Sequence, residues 1–186
     1  MKAQMDEFLE LLTPLKKDLM GYIRYLLWNK NDLEDGLRNT LTEAYRRFNQ
    51  FEKGTNYKSW IFQVASFTIF NMNRRYEKEM ARERTLTDAN EPTAYESLQG
   101  NEDYQKLLQN DMSFLEKVTD KVKTSLNLLN QKERSVFLLH ALGELSYAEI
   151  AQTLQIPMGS VMAYLSRARS KLRNQLTHYA KEGGYL

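Results

Sequence analysis

Apolar residues recur every three or four positions along most of the chain, and this spacing predicts an all-α protein. No segment shows the apolar–polar alternation of a half-buried strand. The first helical stripe runs from Phe8 to Leu27. Pro14 suits the first position of a new helix within it, with Thr13 as the cap. The polar residues 29–32 are expected to end this segment and to cap the next helix.

The remaining pattern predicts further helices and one change of character. A second apolar stripe runs to about residue 48, and an aromatic-rich helix with a basic C-terminal part follows over about 57–84. Residues 85–102 are rich in Thr, Asp, Asn, Glu, Pro, Ser and Gly, a composition typical of a linker. A further helix is expected at roughly 103–127. Asn130 and Glu133 then form the pattern of a helix cap.

Residues 146–173 predict two helices joined by a tight turn. Ser146 and Glu149 match a capping box, and a four-residue break follows the first helix. The apolar stripe of the second helix consists of Val161, Leu165, Ala168 and Leu172. Its other faces carry the basic residues Arg167, Arg169, Lys171 and Arg173. This layout is typical of a helix-turn-helix, whose second helix enters the major groove while basic side chains hold phosphates.

Charge divides the chain into three parts. Residues 1–85 have 15 basic and 12 acidic side chains, residues 86–125 have 4 and 8, and residues 126–186 have 7 and 4. The net charge of +2 therefore hides two mildly basic blocks and an acidic connector. We predict two small helical domains, at 1–85 and 126–186, joined by a flexible acidic linker. The C-terminal domain contains the helix-turn-helix.

Several functional classes find no support in the composition. The chain has no cysteine, which removes disulfides and thiolate chemistry and suits a cytoplasmic protein. No apolar run has the length of a membrane span, and the N-terminus is too acidic for a signal peptide. The two histidines, His140 and His178, stand apart from any catalytic or metal-binding spacing. We therefore expect no enzymatic activity, no cofactor and no metal.

Two stretches resemble the extracytoplasmic-function (ECF) sigma factors of bacterial RNA polymerase. The first consists of DLEDGLRNTLTEAYRRF at 32–48 and GTNYKSWIFQVASFTIFNMNRR at 54–75, and it is similar to the N-terminal promoter-melting domain. The second stretch, at 128–173, is similar to the C-terminal domain. The order and spacing of the two stretches make the resemblance more specific than the helix-turn-helix alone.

The resemblance implies an alternative sigma factor. Its C-terminal helix would read the upstream promoter element, and its N-terminal domain would bind core polymerase and open the downstream element. The implied partners are core RNA polymerase, promoter DNA and an anti-sigma factor, with no membrane insertion.

The expected DNA contacts fall into two groups. The upstream group is Ser160, Met162, Ala163, Tyr164, Arg167, Arg169, Lys171 and Arg173. Its apolar members would contact thymine methyl groups. The downstream group is Asn56, Tyr57, Arg74 and Arg75. An aromatic ring with nearby donors suits the capture of an unstacked base, and the arginines suit phosphates. Trp60, Val64 and Phe67 recur at helical spacing, as core residues would, and for Trp60 and Val64 we favour a core position.

The resemblance also places the polymerase contact on the 32–48 helix. The exposed face there would include Asp35, Arg38, Asn39, Thr42 and Arg46. A charged helix face is ordinarily just solvated, so only the resemblance singles it out. The turn of the helix-turn-helix departs from the family pattern at Gln155, where glycine is common. A positive φ at this residue would be strained.

Two other functions fit part of the pattern. A free-standing helix-turn-helix regulator would use its N-terminal block for dimerisation or ligand sensing, and would bind palindromic DNA as a dimer. An interaction module would instead use the basic helix to bind an acidic protein. Steep salt dependence would distinguish DNA binding from that alternative, because DNA binding releases counterions.

Overall fold

The computed structural model describes residues 2–83 and 124–182, and every regular element in these two ranges is helical. The all-α prediction is therefore confirmed. The α-helices are α1 (Lys2–Leu12), α2 (Lys16–Leu26), α3 (Leu33–Arg47), α4 (Tyr57–Glu83), α5 (Gln131–Ala141), α6 (Tyr147–Leu154) and α7 (Met158–Glu182). Short 3-10 turns at Thr13–Leu15, Lys30–Asp32 and Phe48–Gln50 precede α2, α3 and the loop before α4.

The break between α1 and α2 lies where proline predicts it, but the predicted cap is wrong. Pro14 lies in the first turn of the 3-10 segment. The Thr13 hydroxyl donates to the Leu9 carbonyl at 2.6 Å, one turn back, and caps nothing ahead of it. The physical reason is that the backbone stays right-handed helical from Leu12 to Lys16, so no extended cap residue exists.

Helices α2, α3 and α4 form the centre of the N-terminal core. The Tyr22 hydroxyl donates to Ser66 Oγ at 2.7 Å, and this serine donates in turn to the Phe62 carbonyl. Gly36 on α3 lies in close contact with side chains of the neighbouring elements. A β-carbon there would be 3.1 Å from Leu27 Cδ1, and 3.2 Å from side-chain atoms of Ile23 and Ile69.

The C-terminal block has the predicted helix-turn-helix. Both capping boxes are present, Asn130 with Glu133 at the start of α5 and Ser146 with Glu149 at the start of α6. Gln155 ends α6 at φ 53°, in the left-handed region. The four residues of the predicted α7 stripe are all buried.

The two blocks pack directly on each other, α5 against α2 and α6 against α4. The sequence pattern did not predict this packing. The predicted linker, 86–125, lies outside the described residues except for its last two positions, as does most of the helix expected at 103–127. The domain bounds therefore stay a prediction.

The close approach at Gly36 leads to a stability prediction. Gly36→Ala should lower the free energy of unfolding by about 1–3 kcal/mol, because its methyl group forces three core side chains to shift. Gly159→Ala in α7 is the matched control. No atom lies within 4 Å of its β-carbon, and alanine favours helix by up to about 1 kcal/mol. Urea unfolding followed by circular dichroism measures both, and equal changes would contradict the close approach.

Candidate nucleic-acid interface

Helix α7 presents the residues predicted to contact DNA because its opposite side is anchored in the core. Burial of Val161, Leu165, Ala168 and Leu172 turns the remaining faces outward. Met162, Ala163, Arg167, Arg169, Lys171 and Arg173 are exposed, and Ser160 and Tyr164 are half-buried. All eight residues predicted to contact upstream DNA therefore lie on or beside one outward surface, which we call the reading surface. Their roles in DNA binding stay predictions.

Arg167 is held from two sides. Its guanidinium carbon lies 5.0 Å from the centroid of the Tyr164 ring, a cation–π arrangement. Its Nε atom lies 3.7 Å from Oε1 of Glu133 on α5. These contacts restrict the side chain, and such preorganisation would reduce the entropy lost if Arg167 binds DNA as predicted.

Glu133 is the acidic centre beneath the reading surface, and the sequence revealed only its capping role. Its side chain is 3% exposed, and its Oε2 atom accepts from Lys171 Nζ at 2.7 Å. The same oxygen accepts from the Asn130 backbone N–H at 3.1 Å. Lys171, predicted to contact DNA, therefore also ties α7 to α5. In the sequence, a glutamate on an otherwise buried helix face was the feature that could have indicated a buried ion pair.

The other flank of the reading surface meets α6. Arg169 reaches the Tyr147 hydroxyl at 3.5 Å. A shallow cleft of about 280 Å³ between the two helices is lined by Met162, Ser166 and Arg173, among others. Two basic side chains thus border an apolar thioether on the outward side, a combination that suits phosphates and a base edge or methyl group.

Two of the residues predicted to contact downstream DNA, Asn56 and Tyr57, lie at the start of α4, and Asn56 makes two hydrogen bonds there. Its Oδ1 atom accepts from the Ser59 N–H at 3.1 Å and so caps α4. Its Nδ2 atom donates to Oε1 of Glu149 at 2.5 Å, across the two blocks. Arg74 and Arg75 are exposed further along α4.

Tyr57 does not lie on the surface. It is only 7% exposed and packs against Phe48, Phe51 and Trp60, with ring centroids 5.3–6.2 Å away. Its hydroxyl is buried without a hydrogen-bond partner among the described residues, and burial raises its pKa. In this conformation the ring is inaccessible to a base, so its predicted DNA contact requires this aromatic cluster to open.

The core expectation for the neighbouring residues holds only in part. Val64 is buried and Trp60 is half-buried, whereas Phe67 is 40% exposed. The core expectation for Trp60 and Val64 is confirmed for Val64 and holds in part for Trp60. Phe67 instead lines the groove between α3 and α4.

The predicted polymerase face borders a groove between α3 and α4. The groove has a volume of about 500 Å³, and Asn39, Thr42 and Arg46 line its α3 side. Arg38 lies beside it, paired with Glu34 at 3.0 Å and Asp35 at 3.6 Å. Phe67, Asn71 and Arg75 line the α4 side, and Gln155 from the helix-turn-helix also borders it.

Glu149 is ionised in its capping position. The side-chain and backbone hydrogen bonds from Ser146 lower its pKa from the ordinary value of 4.5, and Asn56 and Lys58 add smaller effects in the same direction. A carboxylate therefore faces the start of α4.

Comparison with known proteins finds similarity to one group of transcription initiation factors. The profile described as Sigma-70, region 4 matches residues 119–172. The ECF RNA polymerase sigma factor SigW of Bacillus subtilis (strain 168) is 22% identical over 175 residues, covering 94% of this chain and 91% of the relative. The chain is therefore similar to ECF sigma factors along nearly its whole length. Its function is that of an alternative sigma factor directing transcription initiation.

Two solved structures share the fold. The sigma factor RpoE in complex with the anti-sigma factor NepR, from Bartonella quintana, has a TM-score of 0.71 at 23% identity, covering 92% of this chain and 97% of its own. CnrH in complex with the cytosolic domain of CnrY has a TM-score of 0.63 at 18% identity, covering 94% and 90%. Among the described residues of this sigma factor, no helix is long and apolar enough to cross a membrane.

The Glu133 ion pair predicts that Lys171 and Arg173 contribute differently to the stability of the fold. Lys171→Ala should lower the free energy of unfolding by about 1–3 kcal/mol, because the buried carboxylate loses its nearest cation. Arg173→Ala, two residues away at an exposed site, should change it by less than about 0.5 kcal/mol. Denaturant unfolding of both variants at neutral pH measures the difference. Equal effects would show that the Lys171 pair contributes nothing to stability.

Proposed function

We propose that this ECF sigma factor uses two separate surfaces for promoter DNA and a third for core polymerase. The reading surface of α7 binds the upstream element. The start of α4 binds the downstream element, and the α3 side of the α3–α4 groove binds polymerase. The observation that carries the proposal is the basic outward surface of α7, presented by a capped helix-turn-helix.

Upstream readout rests on a few side chains. Arg167, preorganised by Tyr164 and Glu133, donates to a guanine edge, the commonest specific contact of an arginine in the major groove. Met162 and Ala163 offer apolar contact to thymine methyl groups. Arg169 and Arg173 hold phosphates and set the register of the helix on the duplex.

Downstream melting and polymerase binding follow the family pattern. Asn56 supplies an amide that can pair with the edge of an unstacked base, and Arg74 and Arg75 contact phosphates. The polymerase face is formed by Asp35, Arg38, Asn39, Thr42 and Arg46, and its mixture of donors and acceptors suits a polar protein partner. The protein acts in the cytoplasm, where the polymerase is located.

An anti-sigma factor is the expected inhibitor of the free protein. The structurally similar RpoE is bound to the anti-sigma factor NepR. This chain has the same fold, so a protein partner of that class would have the same helical surfaces to bind.

Polymerase binding tests the central part of the proposal. The purified protein should bind core polymerase stoichiometrically and direct a discrete run-off transcript from a promoter upstream of its own gene. Arg46→Glu should weaken the complex at least tenfold by reversing charge on the proposed face, as measured by pull-down titration. Lys132→Glu, the same reversal at an exposed site on α5, is the control. A stable dimer without polymerase binding would instead favour a free-standing regulator.

Base readout by Arg167 has a distinct signature. Arg167→Ala should weaken binding to the upstream element by about 1–3 kcal/mol and relax specificity at one position. Arg173→Ala should weaken binding to all sequences alike, because a phosphate contact carries no sequence information. Fluorescence anisotropy with specific and scrambled duplexes at one salt concentration measures both. Equal losses on both duplexes for Arg167→Ala would remove it from the base-reading residues.

A further inference from the structure

One carboxylate of α5 contacts two of the cations predicted to bind upstream DNA. Oε2 of Glu133 accepts from Lys171 Nζ at 2.7 Å, and its Oε1 atom lies 3.7 Å from Nε of Arg167. Arg167 and Lys171 are four positions apart on α7, so their side chains lie on one face of the helix. A single negative charge therefore lies behind two positive charges of the reading surface.

The Glu133 carboxylate is fixed in this position by the cap of α5. Its Oε2 atom accepts from the Asn130 backbone N–H at 3.1 Å, and the Asn130 side chain accepts from the Glu133 N–H at 2.9 Å. The Glu133 side chain is only 3% exposed, whereas those of Arg167 and Lys171 are 57% and 44% exposed. Both cations can therefore turn outward to meet DNA, but the carboxylate cannot follow them.

The fixed carboxylate should weaken the binding of DNA of arbitrary sequence. Such binding comes from lysine and arginine side chains that neutralise phosphates and release counterions. Lys171 is already paired with a carboxylate at 2.7 Å, and a phosphate that approaches this lysine also approaches the Glu133 charge. The two negative charges repel, and salt screens a partly buried charge less than an exposed one. Lys171 therefore binds a phosphate less well than a lysine without this carboxylate would.

The effect of Glu133 on Arg167 is also one of position. The Nε atom of Arg167 is the one that faces Glu133, and the guanidinium carbon lies 5.0 Å from the centroid of the Tyr164 ring. A contact at Nε leaves the terminal amino groups of the guanidinium for a bidentate contact with a guanine edge. Because Glu133 and Tyr164 restrict the side chain, less entropy is lost when Arg167 binds one particular base.

We propose that Glu133 is a positioning residue that sets the specificity of the reading surface. Its charge lowers the affinity of Lys171 and Arg167 for phosphates of any sequence, and its contact with Arg167 favours the readout of a base. Glu133 does not touch DNA and acts through these two side chains. The inference rests on the proposed function, in which α7 binds the upstream element. Specificity is a difference between two affinities, so weaker binding to the wrong DNA raises it.

Glu133→Gln tests the proposal because it removes the charge and keeps the cap. Glutamine is the other residue that completes a capping box, so the bond from the Asn130 N–H can be retained. Arg167 and Lys171 are exposed enough to be hydrated when the carboxylate is lost. We therefore expect the variant to fold, and urea unfolding followed by circular dichroism checks this.

Two further variants isolate the charge. Glu149→Gln is the matched control, because Glu149 has the same position in the α6 capping box and its carboxylate accepts from Ser146 and Asn56 instead of from α7. Glu133→Asp keeps a negative charge at the start of α5 and shortens the side chain by one methylene group. It also provides a second test at the same position if Glu133→Gln does not fold.

The measurement is fluorescence anisotropy of the full-length protein over a series of salt concentrations. The two probes are a duplex with the upstream element of the protein's own promoter and a scrambled duplex. Glu133→Gln should bind the scrambled duplex about three- to tenfold more tightly, with a salt slope steeper by about 0.9, as expected for one added phosphate contact. Its affinity for the specific duplex should change less, so its preference for that duplex should fall at least about threefold.

The two control variants should resemble the parent on scrambled DNA. Both should keep the parent's affinity within about twofold, Glu149→Gln because salt screens distant charges and Glu133→Asp because the charge remains. An equal gain in Glu133→Asp and Glu133→Gln would overturn the proposal. Weaker binding of Glu133→Gln to both duplexes would also overturn it, because loss of stability alone cannot raise the affinity for scrambled DNA.

A double-mutant cycle tests whether Glu133 acts through Arg167. In an Arg167→Ala background, the further change Glu133→Gln should leave the preference for the specific duplex within about twofold of that of Arg167→Ala alone. The reason is that the side chain positioned by Glu133 is then absent. A fall in preference of the same size in both backgrounds would overturn the positioning role.

The parent protein separates this inference from the proposed function. A parent that binds the two duplexes equally would overturn upstream readout by α7 itself. A parent that prefers the specific duplex, with a Glu133→Gln variant of unchanged preference and salt slope, would overturn only the role of Glu133.

Discussion

The helix-turn-helix domain depends on one buried carboxylate. Glu133 caps α5 through its hydrogen bonds with Asn130, and its carboxylate forms an ion pair with Lys171 of α7. A buried charge is costly unless it is paired and hydrogen-bonded, so each partner of this carboxylate is needed to compensate for its desolvation. Because Lys171 and Arg167 lie on α7, the same carboxylate also contributes to the orientation of the helix proposed to bind DNA.

This arrangement ties stability to recognition. Arg167 is shared between Glu133, the Tyr164 ring and the proposed DNA base, and a base edge must compete with the contacts already present. A single phosphate contact compensates for the loss of these Arg167 contacts less well than a bidentate guanine contact does. Specificity often arises from such competition, because it weakens the binding of a wrong ligand more than that of the right one.

The same logic operates between the blocks. Asn56 serves as the cap of α4, as the donor to Glu149 and as the proposed donor to DNA. The cap uses Oδ1 and the bond to Glu149 uses Nδ2, so these two contacts do not compete, whereas DNA bound to this amide as proposed would compete with Glu149.

The sequence by itself determined what depends on near neighbours. Helical periodicity, both capping boxes, Pro14 and the helix-turn-helix follow from residues a few positions apart, and the structure has all of them. Tertiary structure alone decided the Glu133–Lys171 pair, the burial of Tyr57, the exposure of Phe67 and the contact of Asn56 with Glu149 across the two blocks. These depend on residues 38 and 93 positions apart, or on which side of a long helix finds a partner. Local pattern carries no information on such packing, because many pairings of amphipathic helices bury similar apolar area.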